Sequence, residues 1–380
     1  STEKQFALAK LLSEQLKNIG VKDVSMSEHG YVYGTIPANG DYNCQTVGFL
    51  AHMDTSPDCP DENVRPQLVK HYDGKDITLN KALGVKMTTK MFPFLKNYVG
   101  QDLITTDGTT LLGADDKAGI AEIMTMAEAL IKENIPHGPI SIAFTPDEEV
   151  GGGTDHFNVE KFAAQFAYTL DGDTEGEIQY ENFNACKADF EITGFAVHPG
   201  SSKDTMINAC LVAAEINNML PGLEIPRETE DYEGFYHLTG MSGDVAKAEL
   251  HYIVRDHDKD LFEAKKKTLK LIEKDMNEKW GEGTVTLTIS EQYRNMAEII
   301  STCMHLIDNA KKACENADVT PLVLPIRGGT DGCQLSFKGL PCPNLGTGGH
   351  AYHGPYEHIT VEGMDKSVDV VTELVKLYAE

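Results

Sequence analysis

The sequence has few arginines, a single tryptophan and no long uncharged apolar run. Its 380 residues include five arginines and one tryptophan, and the formal net charge is −26 at pH 7. A nucleic-acid surface needs a basic stripe, so this acidic balance excludes nucleic acid as the expected partner. Because no apolar run reaches about 18 residues, we predict no transmembrane helix and no membrane partner.

Paired cysteines and a secretion signal are also missing. The eight cysteines form no CxxC pair, which predicts free, mostly buried thiols and no thiolate zinc site. The N-terminal stretch STEKQFALAKLLSEQL is polar with helical spacing, unlike a signal peptide. We therefore expect a cytoplasmic globular protein whose dispersed acidic residues serve solubility.

Hydrophobic spacing in the first part of the chain alternates between strand and helix patterns. The stretches TVGFLAHMD, PISIAFTPDEE and FAYTLDG are typical of buried strands, and DDKAGIAEIMTMAEALIKE has the apolar stripe of a helix. This alternation predicts an α/β fold with a mostly parallel, helix-covered sheet. The helix predicted at the N-terminus is expected to stop at Gly20.

The pattern changes over residues 183–294. The predicted elements there follow the order β-α-β-β-α-β, which is the order of a ferredoxin-like domain. Residues 1–182 and 295–380 are then expected to form one domain, into which this smaller domain is inserted.

Acidic and histidine residues recur where predicted strands end or a helix begins. Ligands of parallel α/β sheets bind at the carboxyl ends of strands, so these residues are expected to converge. Each cluster alone also fits a helix cap or a solvated loop, but recurrence at successive strand ends favours one common site. The clusters are His52 and Asp54 in AHMDTSPD, Asp115 and Asp116 in LLGADDKAG, Glu148 and Glu149 in TPDEEVGGG, Asp171 in YTLDGD, and His350, His353 and His358 in GTGGHAYHGPYEH.

The converging groups are imidazoles and carboxylates without sulfur. That ligand set suits Zn²⁺ or a similar divalent ion. One ligand from each of the five clusters is too many for a single catalytic zinc that keeps an open position. Five ligands fit two metal ions that lie about 3.5–4 Å apart and share a carboxylate. In the pair Glu148–Glu149, one glutamate is then expected to bind metal while the other takes a proton from water.

Several longer motifs resemble the peptidase T family of tripeptide aminopeptidases. This family is a branch of the two-metal peptidases that include carboxypeptidase G and succinyl-diaminopimelate desuccinylase. The resemblance runs over nearly the whole chain and implies a zinc-peptidase-like catalytic domain with the ferredoxin-like insertion as a lid. The motifs are AHMDTSPD, LLGADDKAGIAE, FTPDEEVG, ENFNA, VHPG, EGFYHL, HYIVRD, PIRGGTDG and GLPCPNLGTGG.

The resemblance also implies a role for each residue of the clusters. His52 and Asp171 are implied as ligands of the first of two zinc ions per chain, Glu149 and His353 as ligands of the second, and Asp115 as the bridge. His350 and His358 compete with His353, which is preferred because a glycine follows it as in the family motif.

Two further residues are implied to act in catalysis. Asp54 is implied to orient the imidazole of His52. Glu148 is implied to take a proton from the water that becomes the attacking hydroxide, and to return that proton to the leaving amine. The bond between Asp115 and Asp116 is expected to be cis.

Substrate contacts are expected from the inserted domain and from the PIRGG loop. Arg255 and Arg327 are candidates for binding a peptide carboxylate, the alternative being an ion pair with Asp256 or Asp331.

Two smaller candidates come from the inserted domain itself. His198 is an oxyanion-donor candidate whose alternative is a strand-end histidine beside a turn. Asn208 either contacts substrate or, as we prefer, caps a helix.

The predicted function is removal of the N-terminal residue from tripeptides. A carboxypeptidase or an N-acyl amino acid deacylase of the same family is the alternative, because the metal ligands do not distinguish these activities. A catalytically silent metal-binding protein is a third possibility, which the presence of Glu148 and of all the ligands disfavours. The expected partners are short peptides, and the chain is expected to be a monomer or a homodimer.

Overall fold

A computed structural model of the protein describes residues 2–42 and 44–379. The chain divides into two compact units. The first comprises Ser1–Tyr180, Met296–Leu324 and Thr330–Glu380, and the second comprises Glu181–Asn295 and Pro325–Gly329. Within the described residues, no helix is both long enough and apolar enough to span a bilayer.

The elements are named in chain order. The strands are β1 (Lys22–Met26), β2 (Val32–Ile36), β3 (Val47–His52), β4 (Gln67–Val69), β5 (Ile77–Asn80), β6 (Val85–Met87), β7 (Leu103–Thr105), β8 (Ile140–Thr145), β9 (Phe166–Gly172), β10 (Glu177–Gln179), β11 (Asn184–Thr193), β12 (Phe235–Gly243), β13 (Lys247–Asp256), β14 (Val285–Tyr293), β15 (Leu322–Val323), β16 (Asn344–Gly346), β17 (Gly349–His350) and β18 (His358–Thr360). The α-helices are α1 (Glu3–Ile19), α2 (Ala114–Lys132), α3 (Val159–Phe162), α4 (Ala209–Met219), α5 (Lys259–Trp280), α6 (Ala297–Ile300), α7 (His305–Asn316), α8 (Asp331–Phe337) and α9 (Val361–Ala379).

The large sheet of the first unit has the strand order β1-β2-β8-β3-β9-β16-β10-β15. Strands β8, β3, β9 and β16 run parallel at its centre, whereas β1, β2 and β8 pair antiparallel at one side. Every residue of β3 and of β8 is buried, as expected for continuous apolar strands covered on both faces. The prediction of a parallel, helix-covered sheet is confirmed for this central part, and the antiparallel flanks were not predicted.

Two glycines set the positions of helices against this sheet. α1 ends at Gly20, as predicted, where a φ of 109° suits glycine and the N–H donates to the carbonyl of Leu16. In α2, a Cβ at Gly119 would lie 2.1 Å from the carbonyl oxygen of Leu170 in β9. Glycine therefore lets the first turns of α2 approach the end of β9 closely.

The second unit has the predicted element order, β11-α4-β12-β13-α5-β14. Its sheet is antiparallel with the strand order β12-β13-β11-β14, which is the ferredoxin-like topology. The apolar faces of α4 and α5 pack with the sheet into one core that includes Val212, Leu250 and Leu269. The ferredoxin-like prediction is confirmed.

The boundaries of the second unit differ from the predicted 183–294. Pro325–Gly329 belongs to the second unit, although the sequence placed it in the last segment of the first domain. The reason is hydrogen bonding: Ile326 forms a β-bridge with Asn182, and its carbonyl oxygen lies 3.0 Å from Nε2 of His257. Such long-range pairing leaves no local sequence pattern.

Candidate metal centre

The residues of the predicted clusters meet at one edge of the large sheet. His52 is the last residue of β3, Asp171 lies near the end of β9, and Glu148 and Glu149 lie in the turn after β8. Asp115 stands in the first turn of α2. The fold thus brings together these strand ends, as the carboxyl edge of a parallel sheet requires.

Asp115 lies between the two histidines of the site. Its Oδ1 is 2.9 Å from Nε2 of His52, and its Oδ2 is 3.1 Å from Nε2 of His353. On the His52 side, Asp171 Oδ1 lies 3.4 Å from the same Nε2 atom, and on the other side Glu149 Oε2 lies 3.2 Å from His353 Nε2. One oxygen of Asp115 facing each imidazole is the arrangement that a bridging carboxylate needs.

Opposite charges shift the pKa values of the two histidines upward. Burial by itself lowers the pKa of His52, but the charge of Asp171 and hydrogen bonds to nearby carboxylates outweigh it and raise that pKa well above 6.5. Hydrogen bonds to Asp115 and Glu149 raise the pKa of His353 to about 10. Both imidazoles are therefore held in a strongly anionic pocket.

The pKa values of the neighbouring carboxyl groups shift in different directions. Burial raises the pKa of Glu148 well above its usual value, with the charge of Asp171 adding to the shift and His52 opposing it. Burial likewise raises the pKa of Asp171 to about 6, again against the effect of His52. For Asp115, burial acts in the same direction, but hydrogen bonds to His353 and His52 outweigh it and lower its pKa.

The donor set fits divalent cations. Ligand atoms of His52, Asp115 and Glu149 lie within 4.8 Å of one another, as do those of His52, Glu148 and Asp171. In addition, Oε1 of Glu149 is buried and has no hydrogen-bond partner among the described residues. A buried carboxylate oxygen without a partner, on a residue whose other oxygen lies 3.2 Å from His353 Nε2, suits a ligand of a divalent cation. Glu148 belongs to the second group, so its carboxylate is also close enough to serve as a ligand.

Asp54 explains why two glutamates stand side by side. Its Oδ1 and Oδ2 accept the backbone N–H groups of Glu148 and Glu149 at 3.1 and 3.0 Å. The same carboxylate lies 3.4 Å from Nδ1 of His52. Asp54 therefore contacts the histidine and fixes the turn that carries both glutamates, and its orienting role in catalysis stays a prediction.

The peptide bond between Asp115 and Asp116 is cis, as expected. Asp116 Oδ2 accepts the backbone N–H of His52 at 3.0 Å, so the two neighbouring aspartates contact the same histidine from different sides. Asp116 thus belongs to the support of the site.

His350 and His358 lie outside the two ligand groups. They face each other across the β17–β18 pair and pack around the ring of Phe94. Burial lowers the pKa of His350 to about 3, so its imidazole is neutral. The structure therefore places both in an aromatic cluster, and His353 is the histidine of this segment that reaches the carboxylates.

The two candidate arginines have different surroundings within the second unit. Arg327 donates to the backbone carbonyls of Asp231 and Glu233 and to Thr229, and its guanidinium also lies over aromatic rings. Arg255 donates from Nη1 to the carbonyl of Arg327 and keeps Nε buried without a hydrogen-bond partner among the described residues. Arg255 thus keeps one buried donor without a hydrogen-bond partner among the described residues.

The two aspartates of the alternative prediction have the following surroundings. Asp256 pairs with Lys265, its Oδ2 lying 3.6 Å from the ammonium nitrogen, instead of with Arg255. Asp331 lies in the first unit, buried at the start of α8. Within the second unit, backbone carbonyls accept hydrogen bonds from both guanidinium groups.

The remaining candidates have local roles in the second unit. Asn208 caps α4, accepting the N–H groups of Cys210 and Leu211 at 3.0 and 3.3 Å, which confirms the preferred prediction. His198 is exposed, and its Nδ1 accepts the N–H of Gly200 in the turn that follows. Their contacts with substrate stay predictions.

Three residues near the site were missed from the sequence. Glu357 accepts backbone N–H groups at the start of α2, Tyr352 donates to the carbonyl of Gly172 beside Asp171, and Asp58 Oδ2 lies 3.9 Å from Nδ1 of His353. All three occur inside the quoted motifs, but no spacing rule distinguishes them from ordinary loop residues.

Comparison with known proteins agrees with this geometry. The family model described as Peptidase family M20/M25/M40 matches residues 107–377. Peptidase T of Caldanaerobacter subterraneus subsp. tengcongensis is 52% identical over 381 residues, which cover 100% of this chain and 93% of that protein. Peptidase T of Clostridium novyi is also 52% identical, over 100% of this chain and 94% of its own length.

Solved structures show the same fold. The aminopeptidase PepT of Bacillus cereus superposes with a TM-score of 0.77 at 25% identity, covering 98% of this chain and 93% of that one. A tripeptidase of Staphylococcus aureus superposes with a TM-score of 0.80 at 22% identity, covering 98% and 92%. A dinuclear metal-binding peptidase of the M20 family from Bacillus subtilis reaches 0.67 at 14% identity, covering 99% and 92%. The chain belongs to peptidase family M20/M25/M40.

Proposed function

We propose that this protein is an aminopeptidase that uses two divalent cations to remove the first residue from tripeptides. The observation that carries the proposal is Asp115, whose two oxygens face His52 and His353 at 2.9 and 3.1 Å. Full-length relatives named Peptidase T, at 52% identity, support the substrate class.

The proposed ligands divide into two sets that share Asp115. His52 and Asp171 hold one cation, and Glu149 and His353 hold the other. Zinc is proposed because the donors are imidazoles and carboxylates without thiolates. When bound, such a pair of cations polarises the scissile carbonyl and makes a water acidic enough to attack near neutral pH.

Glu148 is the proposed proton carrier. Its Oε2 lies 4.0 Å from His52 Nε2, and Asp54 holds its backbone N–H, so the carboxylate is fixed beside the first ligand set. It takes the proton of the attacking water and returns it to the leaving amine. A carboxylate at this place can accept a proton in the first step and release it in the second.

Substrate selection is proposed to use the carboxylate of a short peptide. Arg255 is preferred over Arg327 as its partner, because it keeps an unpartnered buried Nε. A cytoplasmic location, and a monomeric or homodimeric state, stay predictions.

Hydrolysis of a small peptide panel tests the function. Zinc-loaded protein is incubated with Ala-Ala, Ala-Ala-Ala, Ala-Ala-Ala-Ala, N-acetylated Ala-Ala-Ala and the tripeptide amide, and products are identified by mass spectrometry. We expect loss of the first residue from the free tripeptide alone. Failure to cut the amide would implicate a carboxylate contact, which the variant Arg255→Ala then checks.

Other outcomes redirect the assignment. Preferential cleavage of the acetylated peptide, or release of residues from the C-terminus, would replace the proposal with the deacylase or carboxypeptidase alternative. A protein that binds no metal in an equilibrium titration would contradict the proposed centre itself.

A further inference from the structure

Glu357 connects the segment that carries His353 with the helix that carries Asp115. Its side chain is buried, with the residue only 1% exposed. The carboxylate accepts three backbone N–H groups: Oε2 from Leu112 at 2.6 Å and Gly113 at 2.8 Å, and Oε1 from Asp115 at 2.9 Å. Both of its oxygens are therefore used at the start of α2.

The start of α2 needs such a partner. Its N-cap is Gly113, with a φ of 82° and no side chain that could cap the helix. The first N–H groups of a helix have no partner within the helix, and a carboxylate there is also favoured by the helix dipole. Glu357, separated from Asp115 by 242 positions in the sequence, supplies the cap from another part of the fold.

The contacts of Asp115, His353 and Glu357 form a closed ring beside the proposed metal centre. Asp115 donates its backbone N–H to Glu357, while its side-chain Oδ2 lies 3.1 Å from Nε2 of His353. His353 and Glu357 belong to the same loop between β17 and β18. His353 has a φ of 61°, an uncommon value for a histidine that the surrounding contacts must maintain.

We propose that Glu357 is a positioning residue that sets the separation of Asp115 and His353 and thereby the affinity of the cation they share. It acts through these two ligands and does not touch the reacting atoms. Orienting contacts around ligands typically change metal affinity by about 10–100-fold when they are removed. The inference rests on the proposed two-metal function.

A matched control separates this role from general support of the fold. Glu362, at the start of α9, accepts the backbone N–H of Asp102 at 2.9 Å across 260 positions. It makes the same kind of long-range contact between a carboxylate and the backbone, but to the residue before β7 and not to a ligand segment. Glu362→Gln therefore controls for the loss of a charge at such a contact, and it leaves the contacts of Glu357 unaltered.

Metal titration of folded variants is the test. Wild type, Glu357→Gln and Glu362→Gln are stripped of metal, and Zn²⁺ and Co²⁺ binding are measured by calorimetry together with the Co²⁺ absorption spectrum. Glutamine keeps the shape but has one oxygen, so at least one of the three N–H groups loses its acceptor. We expect about 10–100-fold weaker binding at one of two positions and an altered Co²⁺ spectrum, with Glu362→Gln like wild type.

Two wild-type affinities and an unchanged spectrum in Glu357→Gln would overturn the proposal, whatever its melting temperature. If that variant does not fold, Glu357→Asp keeps the charge on a shorter side chain and carries the same expectation. Failure of both to fold would also overturn it, because Glu357 would then be a folding residue. Absence of metal binding in wild type would instead contradict the proposed function.

Discussion

His52 and Asp171 belong to strands of the large sheet, whereas Glu149 and His353 lie in a turn and a loop. The side chain of His52 is 2% exposed and that of His353 is 45% exposed. The first pair is held by the hydrogen-bonded ladder of β8, β3 and β9. The second pair is held by side-chain contacts, among them Asp54 with the N–H of Glu149 and Glu357 with three N–H groups at the start of α2.

We infer that, of the two proposed cation positions, one would be fixed by the sheet and the other by side-chain contacts. Strand ends are fixed once the sheet forms, because every backbone group of the ladder is paired. A loop is fixed only as well as its anchors. We therefore expect the loop-held position to bind its cation more weakly and to exchange it faster.

We expect the largest effect on activity when the proposed proton carrier is replaced and both proposed ligand sets are left unchanged. Glu148→Gln should lower kcat by about 10²–10⁴-fold, because the proton carrier is lost. Steady-state kinetics and metal analysis are measured together, with Glu128→Gln as control, since Glu128 is a half-buried residue of α2 that pairs with Lys132. Retention of two cations is expected. Loss of one would make Glu148 a ligand, as its distance to His52 and Asp171 also allows.

Replacing one histidine from each proposed ligand set compares how much the two sets contribute to stability. His52→Ala should destabilise the metal-free protein by roughly 3 kcal/mol, since it leaves buried carboxylates without their imidazole. His353→Ala should cost less, because that side chain is 45% exposed to solvent. Thermal unfolding of the stripped variants and calorimetric Zn²⁺ titration measure both effects.

The same pair of variants distinguishes the cation positions. His353→Ala is expected to keep one high-affinity position, whereas His52→Ala should weaken the sheet-held position itself. Equal losses of stability and of affinity in the two variants would show that sheet and loop hold the centre equally well.

Glu122 is a buried carboxyl group outside the proposed ligand sets, and it shows the effect of burial without a hydrogen-bond partner. Glu122, further along α2 than Asp115, is 1% exposed, and neither of its oxygens has a hydrogen-bond partner among the described residues. Burial raises its pKa well above the usual value. Replacing it by glutamine should stabilise the protein at pH 7 by about 1 kcal/mol, because the cost of keeping that site neutral disappears.

The stabilisation expected for Glu122→Gln depends on pH. A carboxyl group with a raised pKa in the folded state retains a proton that the unfolded chain releases. Its contribution to stability is therefore greatest below the unfolded pKa of about 4.3 and declines as pH rises toward the folded pKa. The midpoint of thermal unfolding of Glu122→Gln should diverge upward from wild type above about pH 4.3. Parallel curves, or the same gain in the half-buried control Glu128→Gln, would contradict this account.

The residue pattern alone predicted the main strands and helices and the kinds of side chain in the candidate site. Apolar spacing predicted the buried strands β3, β8 and β9 and the helix α2, because strand and helix periodicities are local properties of the chain. The residue types at strand ends predicted a site of imidazoles and carboxylates. The choice of His353 over His350 rested on a family motif and not on spacing.

Tertiary structure decided which polar groups meet. That Asp54 holds the N–H groups of two successive glutamates, that Glu357 caps α2, and that Arg327 is engaged by backbone carbonyls could not be predicted. The placement of Pro325–Gly329 in the second unit is of the same kind. A hydrogen bond across many residues depends on the position and direction of both partners, and these exist only after the chain has packed.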